Sequence, residues 1–269
     1  MVTHYRDYEQ FKTVVLPFLL ERPDTHQLIL GILERGDEPL LMATAQEDDR
    51  RLVILQTIPE QMIIAGDVFS KEGIRKLARI LDSPGFVGEQ SILEPLLLPH
   101  SIYGVHMEQG IYALTKVKMP QIPENVVFRP ISNDEGQQAL TFASGFLYEV
   151  ESRPSDRQLT QLHQSMARHI EQGSLYGLFS GRMLVAMAAA TRPTQIGITI
   201  SYVYTPKELR GNGYASYLVA KLSEHLLKSY LVVTLYTDWS NQTANKIYQH
   251  VGFKLVGRSL HIKKQDRYR

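Results

Sequence analysis

Cysteine is absent from this chain of 269 residues. That excludes disulfides, thiolate metal ligands and a cysteine nucleophile, and it suits a reducing compartment. A charge surplus is absent as well: 29 Lys and Arg stand against 28 Asp and Glu, with no block of like sign. Neither a nucleic-acid backbone nor an anionic membrane surface is suggested as partner. No run approaches the roughly 18 apolar residues of a membrane span, and the opening MVTHYRDYEQFK is charged rather than apolar. The nine histidines show no H-x-x-x-H or H-E-x-x-H spacing, so no metal site is expected. What these absences leave is a cytoplasmic globular protein, and 43% hydrophobic content is enough for one large domain or two ordinary ones.

The expected boundary is Met119-Pro120-Gln121-Ile122-Pro123-Glu124-Asn125, where two prolines three apart interrupt strand-like runs. It separates an N-terminal α/β domain, 1–120, from a second domain, 126–269. In the second, Val126–Ile131 reads as a strand, and helices follow from Asn133 to about Tyr148 and from Ser155 to Glu171. Leu175–Phe179 and Met183–Thr191 flank the turn Ser180-Gly181-Arg182 as a hairpin, which Ile196–Tyr204 continues. A helix to about Ser229, a strand Leu231–Thr237, a helix from Asn241 to about Val251 and a strand Phe253–Ile262 complete it. The first half repeats part of this order: a hairpin of Leu40–Ala45 and Arg51–Gln56, a strand Met62–Ala65, and a helix Lys71–Leu81. It is read as a candidate diverged copy.

The stretch Glu208-Leu209-Arg210-Gly211-Asn212-Gly213-Tyr214-Ala215-Ser216 places two glycines at a helix start. A nucleoside-triphosphate loop needs Lys and Ser or Thr after its second glycine, and Tyr214-Ala215 supplies neither. A dinucleotide fingerprint is nearly met by Gly211, Gly213 and Ser216, but no acidic residue closes the following strand at the ribose position. What remains is a pyrophosphate site on free backbone N–H groups at the positive end of a helix, with a plain helix-starting turn as the bland alternative.

Arg210-Gly211-Asn212-Gly213-Tyr214-Ala215, preceded by Val203 and Pro206, resembles the R/Q-x-x-G-x-G/A loop of the GCN5-related N-acetyltransferases. Asn241, Ala244, Tyr248 and Gly252-Phe253 resemble that family's N-x-x-A-x-x-x-Y-x-x-x-G-F helix, about thirty residues downstream. The resemblance covers roughly Val126 to Ile262. It implies a mixed, mostly antiparallel central sheet flanked by helices, with an additional N-terminal α/β domain of related fold as a candidate. It further implies acetyl-CoA as co-substrate: the pyrophosphate on Arg210 to Ser216, the pantetheine arm along Tyr202, Val203 and Tyr204 and beside Asn241, and Tyr248 as proton donor to the departing thiolate.

The resemblance places a base at the end of the strand before Asn241 in some members, where this chain has Tyr236. Glu149 and Glu151, Asp238 and Trp239 are further candidates near an acceptor pocket, each with a bland reading as solvated charge, loop cap or packing. The expected activity is acetyl transfer to a primary amine of a small molecule or peptide. A non-catalytic acyl-CoA-binding module, and a tandem transferase of a larger acyl or aminoacyl group, are the alternatives. Neither the acceptor nor an oligomeric state is readable from these motifs.

Overall fold

The computed structural model describes residues 1–36, 38–97, 101–151 and 153–265. Two compact units divide the chain: Met1–Tyr112 with Tyr236–Asn241 and Leu255–Arg269, and Ala113–Leu235 with Gln242–Lys254. The elements of the first half are β1 (Val2–Tyr5), α1 (Tyr8–Leu19), α2 (Gln27–Arg35), β2 (Leu41–Glu47), β3 (Arg50–Ile58), β4 (Gln61–Gly66), α3 (Lys71–Leu81), β5 (Gly85–Glu89), α4 (Gln90–Leu93) and β6 (Tyr103–Leu114). The second half follows with β7 (Val126–Pro130), α5 (Gly136–Val150), α6 (Asp156–Glu171), β8 (Leu175–Ser180), β9 (Met183–Thr191), β10 (Gly197–Tyr204), α7 (Tyr214–Leu226), β11 (Val232–Asp238), α8 (Gln242–Val251) and β12 (Lys254–Lys264). The order strand, two helices, three strands, helix, strand, helix, strand occurs twice, so the internal repeat extends over both halves.

In the first unit the strands run β1-β2-β3-β4-β5-β12-β6. The hairpin strands pair antiparallel, β4 pairs β5 in parallel from Met62↔Phe86 to Ile64↔Gly88, and β12 runs antiparallel to β5 from Ser259↔Glu89 to Lys263↔Gly85. Segments 236–241 and 255–265 are thus part of the first unit, where the sequence reading had placed them in the second domain; for the latter the ladder with β5 is the physical reason. Period-two alternation splits each central strand between two cores. Leu52, Ile54, Met62 and Ile64 pack with α3 and α4 residues such as Leu77 and Leu93, whereas Val53, Leu55, Ile63 and Ala65 pack with Phe11, Val15 and Leu30 of α1 and α2.

In the second unit the order is β11-β10-β9-β8-β7. All pairs are antiparallel except β10 with β11, so the architecture is mixed α/β with a mostly antiparallel sheet. Helices α5 and α6 cover one face through Ala139, Ala143, Leu162 and Met166, against Leu175, Phe179, Met187 and Ala189. Helix α7 buries Leu218, Val219 and Leu222 and packs on β9 and β10. Helix starts follow the sequence chemistry: Ser155 and Gln158 exchange bonds in a capping box at the head of α6, at 3.3 and 2.8 Å.

A second capping box, Ser132 with Glu135, opens the turn before α5. Here the Glu135 carboxylate also accepts two bonds from the Arg129 guanidinium, at 2.7 and 2.5 Å. These bonds hold its pKa down to about 2. Because the folded value lies below the unfolded one, the contribution is complete above the ordinary carboxylate range and is lost as pH falls towards 2. Glu135→Gln should cost about 1 kcal/mol at neutral pH. In urea titrations the gap to the wild type should narrow steadily from about pH 5 to pH 2.

Candidate functional site

The site in the second unit begins where two parallel strands part. The ladder of β10 with β11 runs from Gly197↔Val232 to Ile200↔Leu235, and β10 continues through Ser201 to Tyr204 beyond it. On the β9 side the register steps from Ser201↔Ala189 to Tyr204↔Met187, so β10 carries one extra residue. Tyr202 absorbs that bulge with φ +55, the left-handed region that non-glycine residues seldom adopt. The rings of this segment are anchored on α5: Tyr202 lies edge-on to Phe146 and Tyr204 edge-on to Phe142, with centroids 5.7 and 5.8 Å apart. Gly145 allows the approach, since a Cβ there would lie 2.8 Å from Tyr204 Cζ. Burial, with the Glu149 carboxylate nearby, raises the Tyr204 pKa. A stretch of β10 backbone past the β11 ladder is therefore presented on a braced strand.

After Pro206 the chain makes a 3-10 turn, Lys207–Leu209, and arrives at the glycines. Gly211 has φ +85 and Gly213 φ +75, and α7 starts at Tyr214 with no side-chain cap on its N-terminus. The first intrahelical bond is donated by Tyr217 N–H to Gly213 O at 3.0 Å. The N–H groups of Tyr214, Ala215 and Ser216 precede it and have no intrahelical acceptor. A Cβ at Gly211 would meet nothing within 4 Å, and one at Gly213 only Pro123 at 4.0 Å. Both glycines are thus demanded by backbone conformation rather than by crowding. Asn212 closes the turn, its side-chain N–H groups donating to Leu209 O at 3.0 Å and Arg210 O at 3.4 Å.

Arg210 is a structural clamp in this geometry. Its Nε donates to Thr205 O at 2.9 Å, and its guanidinium reaches both oxygens of Glu149 at 2.6 and 2.7 Å. The bond to Thr205 fixes the loop relative to the end of β10, and the pair ties the loop to the last turn of α5. Val203 and Pro206 stand in the spacing read from sequence, between the bulge and the 3-10 turn.

The equivalent helix start in the first unit is closed. There Ser70 caps α3 by accepting from Gly73 N–H at 3.0 Å, and the Glu47 carboxylate accepts from Ser70 N–H and Oγ, each at 2.6 Å. Those bonds from Ser70 lower the Glu47 pKa. At α3, unlike α7, the chain itself supplies a side-chain cap, Ser70, and a carboxylate bonded to that cap residue.

Tyr248 lies on α8, 8% exposed, edge-on to Phe253 with centroids 6.1 Å apart. Among the described residues its hydroxyl has no hydrogen-bond partner, and burial raises its pKa to about 12. The phenol therefore stays protonated throughout the neutral range. Asn241 directly precedes α8 and donates its N–H to Asp238 O at 3.0 Å. Asp238 Oδ1 accepts from Ser240 N–H and Oγ, at 2.8 and 2.6 Å, so it serves as the loop cap. Trp239 lies under the Arg258 guanidinium, 4.0 Å from the ring centroid. Glu151 is the extended C-cap residue of α5. No cluster of three or more His, Asp or Glu residues able to hold a metal occurs among the described residues, and no helix among them is long and apolar enough to cross a membrane.

This architecture is that of the GCN5-related N-acetyltransferase fold. An acetyltransferase from the GNAT family of Colwellia psychrerythraea superposes with TM-score 0.65 at 13% identity, covering 98% of this chain and 100% of that one. A GCN5-related N-acetyltransferase from Sphaerobacter thermophilus gives 0.62 at 16% identity, covering 98% and 95%. A tandem GNAT protein from the clavulanic acid biosynthesis pathway gives 0.55 at 11% identity, covering 97% of each. By sequence, residues 175–262 match the family described as FR47-like protein, which spans β8 to β12 and so includes the glycine loop and α8. No curated protein sequence matches the chain.

The raised Tyr248 value makes a stability test. A phenol whose folded pKa lies above its unfolded one contributes stability that is complete below about pH 10 and is lost as pH rises to about 12. Tyr248→Phe should be within about 1 kcal/mol of the wild type at pH 7. Denaturation curves from pH 9 upwards should show the wild type declining more steeply than the variant.

Proposed function

We propose that the chain is an acetyl-CoA-dependent N-acetyltransferase acting on a primary amine of a small molecule or peptide. The observation that carries the reading is the contrast between the two helix starts: α7 presents uncapped N–H groups behind two left-handed glycines, whereas α3 is capped by Ser70, itself bonded to the Glu47 carboxylate. The pyrophosphate of acetyl-CoA suits the α7 start because three backbone donors without a side-chain cap and the positive end of the helix meet there. Residues Arg210 to Ser216 would form this cradle, with Arg210 holding its shape through Thr205 and Glu149. The edge of Tyr202, Val203 and Tyr204 beyond the β11 ladder would accept the amide-bearing pantetheine arm as a further strand would.

The reaction needs no covalent enzyme intermediate. A neutral amine nitrogen forms a bond to the thioester carbonyl carbon, the carbon–sulfur bond breaks, the nitrogen loses a proton and the thiolate takes one. Tyr248 would supply the proton to sulfur, since burial keeps its phenol protonated at every working pH. Glu149 and Asp238 are both engaged in holding loops, which favours an amine that arrives neutral and gives up its proton to water after attack. The protein's place in the cytoplasm belongs to this same reading.

Three measurements test it. Calorimetry with CoA should find one site per chain; two sites would contradict the role given to Glu47. Gly213→Val should weaken CoA by an order of magnitude or more with the fold retained, because a β-branched residue resists φ +75 and narrows the approach to the N–H groups. In a thiol-release assay with acetyl-CoA and a panel of amines, Tyr248→Phe should lower kcat by roughly 10²- to 10⁴-fold with little change in CoA affinity. Equal turnover of the two proteins would make Tyr248 a packing residue.

A further inference from the structure

The connection from β6 to β7, residues 115–125, belongs to the second unit and touches both helices of the candidate site. At one end Lys118 donates its N–H to the carbonyl of Val251, the last residue of α8, at 2.7 Å. Gly252, which follows, has φ +109, and a Cβ there would lie 3.0 Å from Lys116 O and 3.4 Å from Lys118 Cγ. The backbone of Lys116 to Lys118 is therefore packed on the C-terminal end of the helix that carries Tyr248. At the other end, Pro123 Cγ would lie 4.0 Å from a Cβ at Gly213, the N-cap of α7. From Lys118 to Pro123 the chain can reach at most roughly 17 Å, and Pro120 and Pro123 each fix φ. The segment is a stiffened strap held at both ends, not a loose tether.

Next to Pro123, Ile122 is 62% exposed. An exposed isoleucine is ordinary in itself, and its place beside the glycine loop is what sets this one apart. The uncapped N–H groups of α7 begin one residue beyond Gly213. A diphosphate on those groups carries its adenosine through a single ribose, so the base must come to rest close to the cradle. Consecutive Cα atoms are about 3.8 Å apart, which puts Ile122 one residue from the contact that Pro123 makes there. A purine has two flat faces of low polarity to withdraw from water, and a branched alkyl group offers a matching surface. On the acyl-transfer reading, on which this depends, we infer that the strap forms the nucleotide end of the coenzyme site: Ile122 covers a face of the adenine ring, and Pro123 holds the strap beside the phosphates. The strap then selects an acyl carrier that bears a nucleotide over one that ends at the phosphopantetheine arm.

Calorimetry on the full chain tests this by comparing acetyl-CoA with acetyl-4′-phosphopantetheine, which keeps the arm and one phosphate and lacks the adenosine. Ile122→Ser should weaken acetyl-CoA by roughly fivefold or more and leave acetyl-4′-phosphopantetheine unchanged. Its unfolding midpoint should match the wild type, because the replaced side chain is exposed. Ile122→Trp, which widens the apolar face, should tighten acetyl-CoA alone. Wild-type protein that binds neither compound would overturn the coenzyme site and this assignment together. If the wild type binds acetyl-CoA, an unchanged affinity in Ile122→Ser, or an equal loss for both compounds, would overturn the assignment and leave the coenzyme site standing.

Discussion

The constraint on which the candidate site depends is that the first turn of a helix cannot satisfy its own N–H groups. A chain meets this in one of two ways, and both are present here. At α3 the chain supplies its own oxygens, Ser70 Oγ to the Gly73 N–H and the Glu47 carboxylate to the Ser70 N–H. At α7 it supplies none, and two left-handed glycines turn the loop so that the end stays open. The same element order thus yields one end complete in itself and one that gains from an added anion.

Everything nearby serves to keep that open end in place. Tyr202 accepts a left-handed φ, an unfavourable conformation of about 1 to 2 kcal/mol, and in return β10 bulges and runs past its ladder with β11. The aromatic contacts of Tyr202 and Tyr204 with α5 hold the bulge, and the Arg210–Glu149 pair fastens the following loop to the same helix. Helix α5 is accordingly the brace of the site as well as a cover for the sheet.

Features written into short stretches of sequence were legible. The glycine pair, the Asn241-to-Phe253 helix, the Ser155 cap and the hairpins each announce themselves within a dozen residues, because turn chemistry and period-two burial are local. The alternation that places Leu52 and Ile54 on one face and Val53 and Leu55 on the other is of that kind. Pairings across long separations were not legible. Arg210 and Glu149 are 61 positions apart and Glu47 and Ser70 are 23 apart, and nothing local in the sequence joins the members of either pair. The positive φ of Tyr202 leaves no trace either, since tyrosine is an ordinary strand residue. The assignment of β12 to β5 was missed for a related reason: a strand's partner is chosen by the three-dimensional ladder, and sequence nearness to Phe253 suggested the wrong unit.

That ladder has a consequence for the order in which the molecule assembles during synthesis. Domains usually fold as they leave the ribosome, N-terminal first. Here the edge of β5 not paired with β4 is completed, in antiparallel fashion, by Ser259 to Lys263, which are translated after the entire second unit. The N-terminal unit can therefore collapse early around its two cores yet must wait, with a strand edge bare, until translation has passed residue 263. An exposed edge of this type invites pairing with neighbouring chains.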